Sequence, residues 1–219
     1  MIHLDDTTII PIGCSCINQF QIDFFFGKER SRGSLFQWSI TTPRATVEVL
    51  EQARAGTLAP LFAARERFEM EGAHLHNRCF DGFYHWHEDG EAILGHDAER
   101  FARFAEKSLH LMSNTFAATG PVWLLWSNIQ PNLRQEIEDN TRLAWADFRL
   151  TRARRDAIRT AAHNVFADPR FVFVGRKEDV DAELWGDEEV VLMDLPRSDK
   201  FRGAKGLYAE VFARIEAAA

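Results

Sequence analysis

The stretch Ile9-Ile-Pro-Ile-Gly-Cys-Ser-Cys-Ile-Asn-Gln-Phe-Gln-Ile22 decides the fold of this chain. Its β-branched start predicts a buried strand that ends at Gly13, and Pro11 favours the edge of a sheet because proline cannot donate a ladder hydrogen bond. After a sharp turn, we expect a helix to begin near Ser15 or Cys16. A strand that leads directly into a helix is typical of α/β folds, which bind ligands at the carboxyl ends of their strands.

The same pattern continues along the chain. Three further apolar runs read as buried strands, at 122–126, 171–174 and 190–193. Helical periodicity fills the intervals, with start signals at Thr42-Pro43, Asp97 and Thr151. Strands separated by helices predict a single α/β domain over residues 1–219, with a mainly parallel sheet flanked by helices.

The middle of the chain, from about residue 66 to residue 95, departs from this pattern. It is rich in His, Gly and aromatic residues and has weak periodicity. We interpret it as a hairpin or a long irregular loop inserted into the domain. Such segments in compact domains often carry function.

Composition excludes several classes of protein. The chain has 219 residues, of which 46% are hydrophobic and 27% charged, and its net charge is −7. A negative chain lacks the basic surface that binds nucleic acid or anionic membranes, and no run approaches the roughly 20 apolar residues of a membrane span. The first residues lack the features of a signal peptide, and three cysteines are too few for a disulfide framework. We therefore expect a cytoplasmic protein without nucleic-acid or membrane partners, and the oligomeric state stays open.

The cysteines after the first strand are candidate nucleophiles. A thiol at a helix N-terminus has a lowered pKa, because the free N–H groups and the helix dipole stabilise the thiolate. Cys16 is the first choice and Cys14 the second. The alternative is that both are structural, since free cysteines are among the most buried residues.

A family resemblance supports the nucleophile hypothesis. Ile12, Gly13 and Cys16 resemble the opening motif of a bacterial family of uncharacterised proteins described as papain-like cysteine peptidases. Two later segments, Ser34-Leu-Phe-Gln-Trp38 and Phe83-Tyr-His-Trp86, are similar to the family's Pro-Phe-Asp-Trp and aromatic-His-Asp-Phe motifs and follow in the same order. The chain departs from the family at Gln37 and Trp86, where the family has Asp.

The resemblance implies a cysteine-dependent hydrolase or acyl transferase. Cys16 would attack an acyl carbon, His85 would act as base, and Gln37 with the Cys16 amide would bind the oxyanion. His87 is the other candidate base, and geometry must decide between the two rings. The residues expected to bind substrate are Gly13, Ser15, Trp38, His87 and Asn128. The implied substrate is a small molecule, a peptide or a glycan-linked compound, and no cofactor is expected.

Two other functions remain open. The first is a non-catalytic module that binds a small polar ligand or a glycan at the strand ends and keeps its cysteines as structural residues. The second is an esterase of the SGNH type, because Gly13-Cys-Ser15 and Trp126-Ser-Asn128 faintly resemble two blocks of that family. Its final Asp-x-x-His pair is missing, since residues 194–197 contain no His.

A metal site is a weaker alternative for the middle segment. Five His and Cys residues occur between residues 74 and 87, and His-x-His pairs on a strand can share a zinc ion. The standard zinc-binding spacings are absent, so we expect no metal. If a site exists, His74, His76 and Cys79 are the candidate ligands.

Overall fold

The structure is a computed structural model that describes residues 7–27, 33–118, 120–129, 133–194 and 206–217. The strands are β1 (Thr8–Gly13), β2 (Ser39–Thr41), β3 (Phe68–Glu71), β4 (His74–Asn77), β5 (Phe83–His85), β6 (Val122–Ser127), β7 (Pro169–Gly175) and β8 (Val190–Leu192). The helices are α1 (Ser15–Phe26), α2 (Pro43–Arg54), α3 (Ala59–Ala63), α4 (Gly90–Leu94), α5 (Ala98–Phe116), α6 (Leu133–Asn140), α7 (Arg152–His163) and α8 (Ala209–Ala217).

The predicted parallel sheet is confirmed. Its four strands lie in the order β1-β6-β7-β8, and every neighbouring pair is parallel. β1 lies at one edge of this order, as Pro11 predicts. In its register with β6, Gly13 pairs with Ser127, so the turns that follow these two strands lie side by side.

Helices cover both faces of the parallel sheet. On one face, Leu124 and Phe173 pack in a cluster that includes residues of α2, α5 and α7. On the other face, Leu125 and Val172 pack against α1 and α8. Strands buried on both sides explain the continuous apolar runs, because neither face needs polar residues.

The middle of the chain forms a second sheet, which is antiparallel and has the order β2-β5-β4-β3. Of the two predicted alternatives, a hairpin or an irregular loop, the structure has a hairpin of β3 and β4, which joins this sheet. One face carries Leu75 and Phe83 into the main core, whereas Ile40 and Tyr84 on the other face pack with Cys14. A bridge between Cys14 and Ile40 connects the two sheets at the end of β1.

The predicted helix starts are also confirmed. The side chains of Thr42, Asp97 and Thr151 each accept a hydrogen bond from a backbone N–H in the first turn of α2, α5 and α7. These caps satisfy donors that the helices themselves leave free. Within the described residues, no helix combines the length and the apolar character that crossing a membrane requires.

Candidate functional site

The turn between β1 and α1 depends on Gly13. Its φ is +76°, and a Cβ atom there would lie 2.6 Å from the Ser127 carbonyl oxygen and 2.8 Å from Trp126 Nε1. Only glycine fits both the backbone angle and the space. The Cys14 N–H donates to the Ser127 carbonyl at 2.8 Å, and the Gly13 N–H donates to Thr41 Oγ1 at 3.0 Å. The turn is therefore held against both sheets.

Both candidate thiols are buried next to this turn. Cys14 and Cys16 have no exposed surface. Burial raises the pKa of Cys16 to about 12, although the backbone at the start of α1 acts in the opposite direction. Burial also raises the pKa of Cys14, with smaller contributions from Cys16 and Asp179. The structure thus gives the opposite of the lowered thiol pKa that we expected, because desolvation of the thiolate outweighs the helix terminus.

His85 lies in an aromatic cluster. Its ring centroid is 5.1 Å from that of Phe83 and 4.9 Å from that of Phe104. Its Nε2 is buried and has no hydrogen-bond partner in the described part of the chain. Burial, with smaller effects of Lys107 and His76, lowers the pKa of His85 to about 3. The ring is therefore neutral at physiological pH.

His87 has a different environment. It lies exposed in the turn after β5, and its ring centroid is 5.7 Å from that of Trp38. The Trp38 ring in turn meets Phe20 at 4.7 Å, and Phe20 is one helical turn after Cys16 on α1. Residues four apart share one face of a helix, so this chain of rings links His87 to the Cys16 side of α1.

The segment before β2 holds two more of the predicted residues. The amide oxygen of Gln37 accepts from the Ser34 N–H at 3.3 Å, so this side chain is bonded to its own turn. Trp38 has a φ of +58°, which is unusual for a bulky residue. Strained residues of this kind cluster at functional sites.

Asn128 and Asp179 lie beyond the carboxyl ends of the neighbouring strands β6 and β7. Asn128 directly follows β6, is fully buried and donates its amide to the Phe148 carbonyl at 3.0 Å. Its Oδ1 has no hydrogen-bond partner among the residues that the structure describes. Asp179 follows β7 and is 5% exposed; its Oδ1 accepts from Trp145 Nε1 at 2.7 Å, and no described residue hydrogen-bonds to its Oδ2. Both residues hydrogen-bond to the single-turn segment from Trp145 to Phe148. The two unpaired acceptor atoms therefore belong to residues that contact the same segment.

Sequence reasoning found Asn128 but missed Asp179. In the sequence, Asp179 ends Arg176-Lys-Glu-Asp179, which reads as a solvated loop after a strand. The one sequence signal for Asp179 as a site residue was its position near the carboxyl end of β7, and many acidic residues in loops share such a position. The structure describes the backbone of Ser15 at the start of α1, and its side chain lies outside the described part, as do residues 195–197.

Two buried polar residues, Asn18 and Tyr208, connect α1 and α8 by a hydrogen bond beside this site. Asn18 donates to the carbonyl oxygens of Ile12 and Leu125 at 3.1 and 3.0 Å, and its Oδ1 accepts from the Tyr208 hydroxyl at 2.8 Å. The Asn18 side chain therefore bridges β1, β6 and the start of α8. Its bonds are all made within the fold, which gives it a structural role.

The three weak metal candidates do not converge. His74 stacks on Trp86 with ring centroids 3.4 Å apart, and His76 stacks on Tyr84 at 4.8 Å. Cys79 is partly buried and packs against the main core. His76 instead approaches two carboxylates of β3 that the sequence analysis did not consider.

An open cavity of about 260 Å³ lies between α5 and the turn after β5. Ile93 and Phe104 form apolar parts of its lining, and Glu88 and Lys107 contribute opposite charges. Lys107 Nζ lies 2.6 Å from Glu88 Oε1, so a charged ligand at this point would have to displace an existing ion pair.

Comparison with family models, with curated proteins and with solved structures finds no match for this chain. The resemblance to papain-like peptidases therefore stays a prediction, and functional argument must come from the site itself.

Proposed function

We propose that this chain is a non-catalytic module that binds a small polar ligand at the carboxyl edge of its parallel sheet. One observation carries the proposal: within the described part of the chain, Asn128 Oδ1 and Asp179 Oδ2 are buried acceptor atoms without hydrogen-bond partners beyond neighbouring strand ends. The carboxyl edge is also where open parallel sheets bind ligands.

The chemistry of the two atoms defines the ligand class. An unpaired buried polar group costs about 1–3 kcal/mol, and a buried carboxylate costs more. Both free atoms accept hydrogen bonds, so the matching ligand group is a donor. The negative charge of Asp179 favours an ammonium group over a neutral hydroxyl, and it disfavours anions. Cys14 and Cys16 are neutral packing residues in this proposal, in agreement with their raised pKa values.

Thermal unfolding with defined probes tests the proposal. The probes are ethanolamine, glycerol, N-acetylglucosamine and sodium acetate. A ligand at 100 times its Kd stabilises by about 2.7 kcal/mol, which corresponds to about 5–10 °C in Tm for a chain of this size. We expect ethanolamine to raise Tm in the wild type and not in Asp179→Asn, with no effect of acetate.

The matched control is Asp181→Asn, two residues away. Asp181 pairs with Arg149 at 3.6 Å on the surface, so this variant should respond to ethanolamine as the wild type does. If no donor probe stabilises the wild type, or if Asp179→Asn responds equally, the two acceptors have no ligand role and the proposal is wrong.

A cysteine-dependent hydrolase or acyl transferase is the second candidate. It is favoured by the position of Cys16 on the first turn of α1 and by the strained Trp38 between α1 and His87. This candidate assigns the base role to His87 rather than His85, because the His85 ring is buried among phenylalanines. It requires an opening movement, since a thiol with a pKa of about 12 is only about 0.003% thiolate at pH 7.5.

Alkylation with iodoacetamide, with sites identified by peptide mass spectrometry, tests this second candidate. Catalysis requires Cys16 to react in the native protein with an apparent pKa below about 7, and His87→Ala to raise that value. His85→Ala is the control and should not change it. If Cys16 reacts only on unfolding, while the partly buried Cys79 reacts in the native state, the thiol mechanism is excluded.

A further inference from the structure

Three potential metal ligands converge on the hairpin of β3 and β4. His76 Nδ1 lies 3.2 Å from Glu69 Oε1 and 3.5 Å from Glu71 Oε2, and the three ligand atoms all lie within 4.8 Å of one another. The register explains the convergence: Glu69 pairs with His76 across the hairpin, and Glu71 is two residues along the same strand face.

The hydrogen bond on the far side of the His76 ring determines where its proton lies. Nε2 is 3.1 Å from the Phe80 carbonyl oxygen, which can only accept, so Nε2 carries a hydrogen. In the neutral ring, Nδ1 then presents a lone pair to two carboxylates. Nδ1 and the two carboxylates therefore form a set of three facing acceptor atoms. The guanidinium groups of Arg142 and Arg78 offset the charge of the carboxylates, and a metal ion can do so instead.

Burial strengthens this argument. The His76 side chain has no exposed surface and is stacked on Tyr84, so the ring cannot turn its lone pair towards water. Glu71 Oε2 is buried and, among the described residues, is paired with Arg142 Nε at 3.3 Å without a hydrogen bond of good geometry. Glu69 is 35% exposed, which leaves a path from solvent to the cluster.

We propose that His76 Nδ1, Glu69 and Glu71 bind a divalent transition-metal ion of the zinc class. One imidazole and two carboxylates suit such ions, with water in the remaining positions. The ion would bind the lone pair of Nδ1 and one oxygen of each carboxylate. Two hydrogen bonds orient the ligands, as hydrogen bonds to ligand residues do in known metal sites. His76 Nε2–H donates to the Phe80 carbonyl, and the Tyr84 hydroxyl donates to Glu71 Oε1 at 2.5 Å.

Arg142 competes with the metal for the same oxygens. Its Nε is 3.3 Å from Glu71 Oε2, its Nη1 is 3.8 Å from Glu69 Oε1, and its side chain is 56% exposed. An exposed guanidinium can swing away when a divalent ion binds. Removal of this guanidinium should therefore strengthen metal binding, whereas removal of a ligand weakens it.

Zinc titration of the chelator-treated full chain, by calorimetry and by competition with a chromophoric chelator, tests the proposal. We expect one Zn²⁺ per chain, a loss of affinity of at least 10-fold in Glu69→Gln, and a gain of several-fold in Arg142→Ala. Glu99→Gln is the control, because Glu99 forms an exposed ion pair with Arg103 on α5 and should leave zinc affinity unchanged.

The zinc titration is repeated with Cys79→Ser to distinguish this site from zinc binding by a free thiol. Affinity should be unchanged in that variant, and far-UV circular dichroism should show that every variant is folded. The proposal is wrong if the wild type binds no stoichiometric zinc, if Glu69→Gln binds as tightly as the wild type, if Arg142→Ala weakens binding, or if Cys79→Ser abolishes it.

Discussion

Because the His85 ring is buried and neutral, we expect it to lower the free energy of unfolding at acidic pH by an amount that can be calculated. Its pKa is about 3 in the folded protein, whereas an unfolded histidine has a pKa of about 6.5. Below pH 6.5 the unfolded chain therefore binds a proton that the folded chain does not. The contribution of His85 to stability is complete above pH 6.5 and is lost as pH falls towards 3.

The size of the effect follows from the two pKa values. At pH 4.5 the unfolded histidine is almost fully protonated and the folded one is not, so the free energy of unfolding falls by about 3 kcal/mol relative to pH 7.5. His85→Leu removes this loss. It also removes a buried nitrogen without a partner, so at pH 7.5 the variant should be at least as stable as the wild type.

Urea unfolding of both proteins at pH 7.5 and pH 4.5 measures the difference. Carboxylates contribute equally in the two proteins, so the wild type should lose about 3 kcal/mol more than His85→Leu between these pH values. Substitution of the exposed His110 by Leu is the control and should leave the wild-type loss unchanged. Equal losses in the wild type and His85→Leu would refute the assignment of a neutral ring and would return His85 to the list of candidate bases.

Three further predictions concern the strand ends, each measured by urea unfolding. Gly13→Ala should lower the free energy of unfolding by about 3 kcal/mol or more, because the new Cβ would meet the Ser127 carbonyl oxygen. Gly56→Ala is the control and should cost only about 1–2 kcal/mol, since Gly56 has a φ of +70° but lies in open space. Equal losses in the two variants would contradict the close approach at Gly13. Tyr208→Phe should cost about 1–2 kcal/mol, since it breaks a buried hydrogen bond, and an unchanged stability would show that α8 is held by packing alone. Asp179→Asn without ligand should be neutral or stabilising by about 1 kcal/mol, because it removes a buried charge; a large loss would indicate a structural carboxylate.

Local patterns in the sequence predicted the main architecture. The four apolar runs became β1, β6, β7 and β8, because strands covered on both faces need continuous apolar residues over a short distance. The caps at Thr42, Asp97 and Thr151 marked helix starts, because each is a contact within a few residues of the chain. Pro11 even indicated the edge of the sheet, since its missing N–H is a local property.

The second sheet was only partly visible in the sequence. A hairpin or an irregular loop was expected there, but the pairing of β5 with β2 joins segments far apart in the chain. The short strands of this sheet also bury polar residues such as His76 and Asn77, which weakens their hydrophobic pattern.

The sequence by itself determined the α/β class, the β1–α1 turn and the position of Cys16 at a helix start, because these depend on neighbours along the chain. Tertiary structure alone decided the protonation of the candidate groups. The thiol of Cys16 and the ring of His85 are neutral because distant segments exclude water from them. Tertiary structure alone also brought Asp179 beside Trp145 and His76 between two carboxylates. Desolvation and charge depend on three-dimensional surroundings, which residue spacing does not encode.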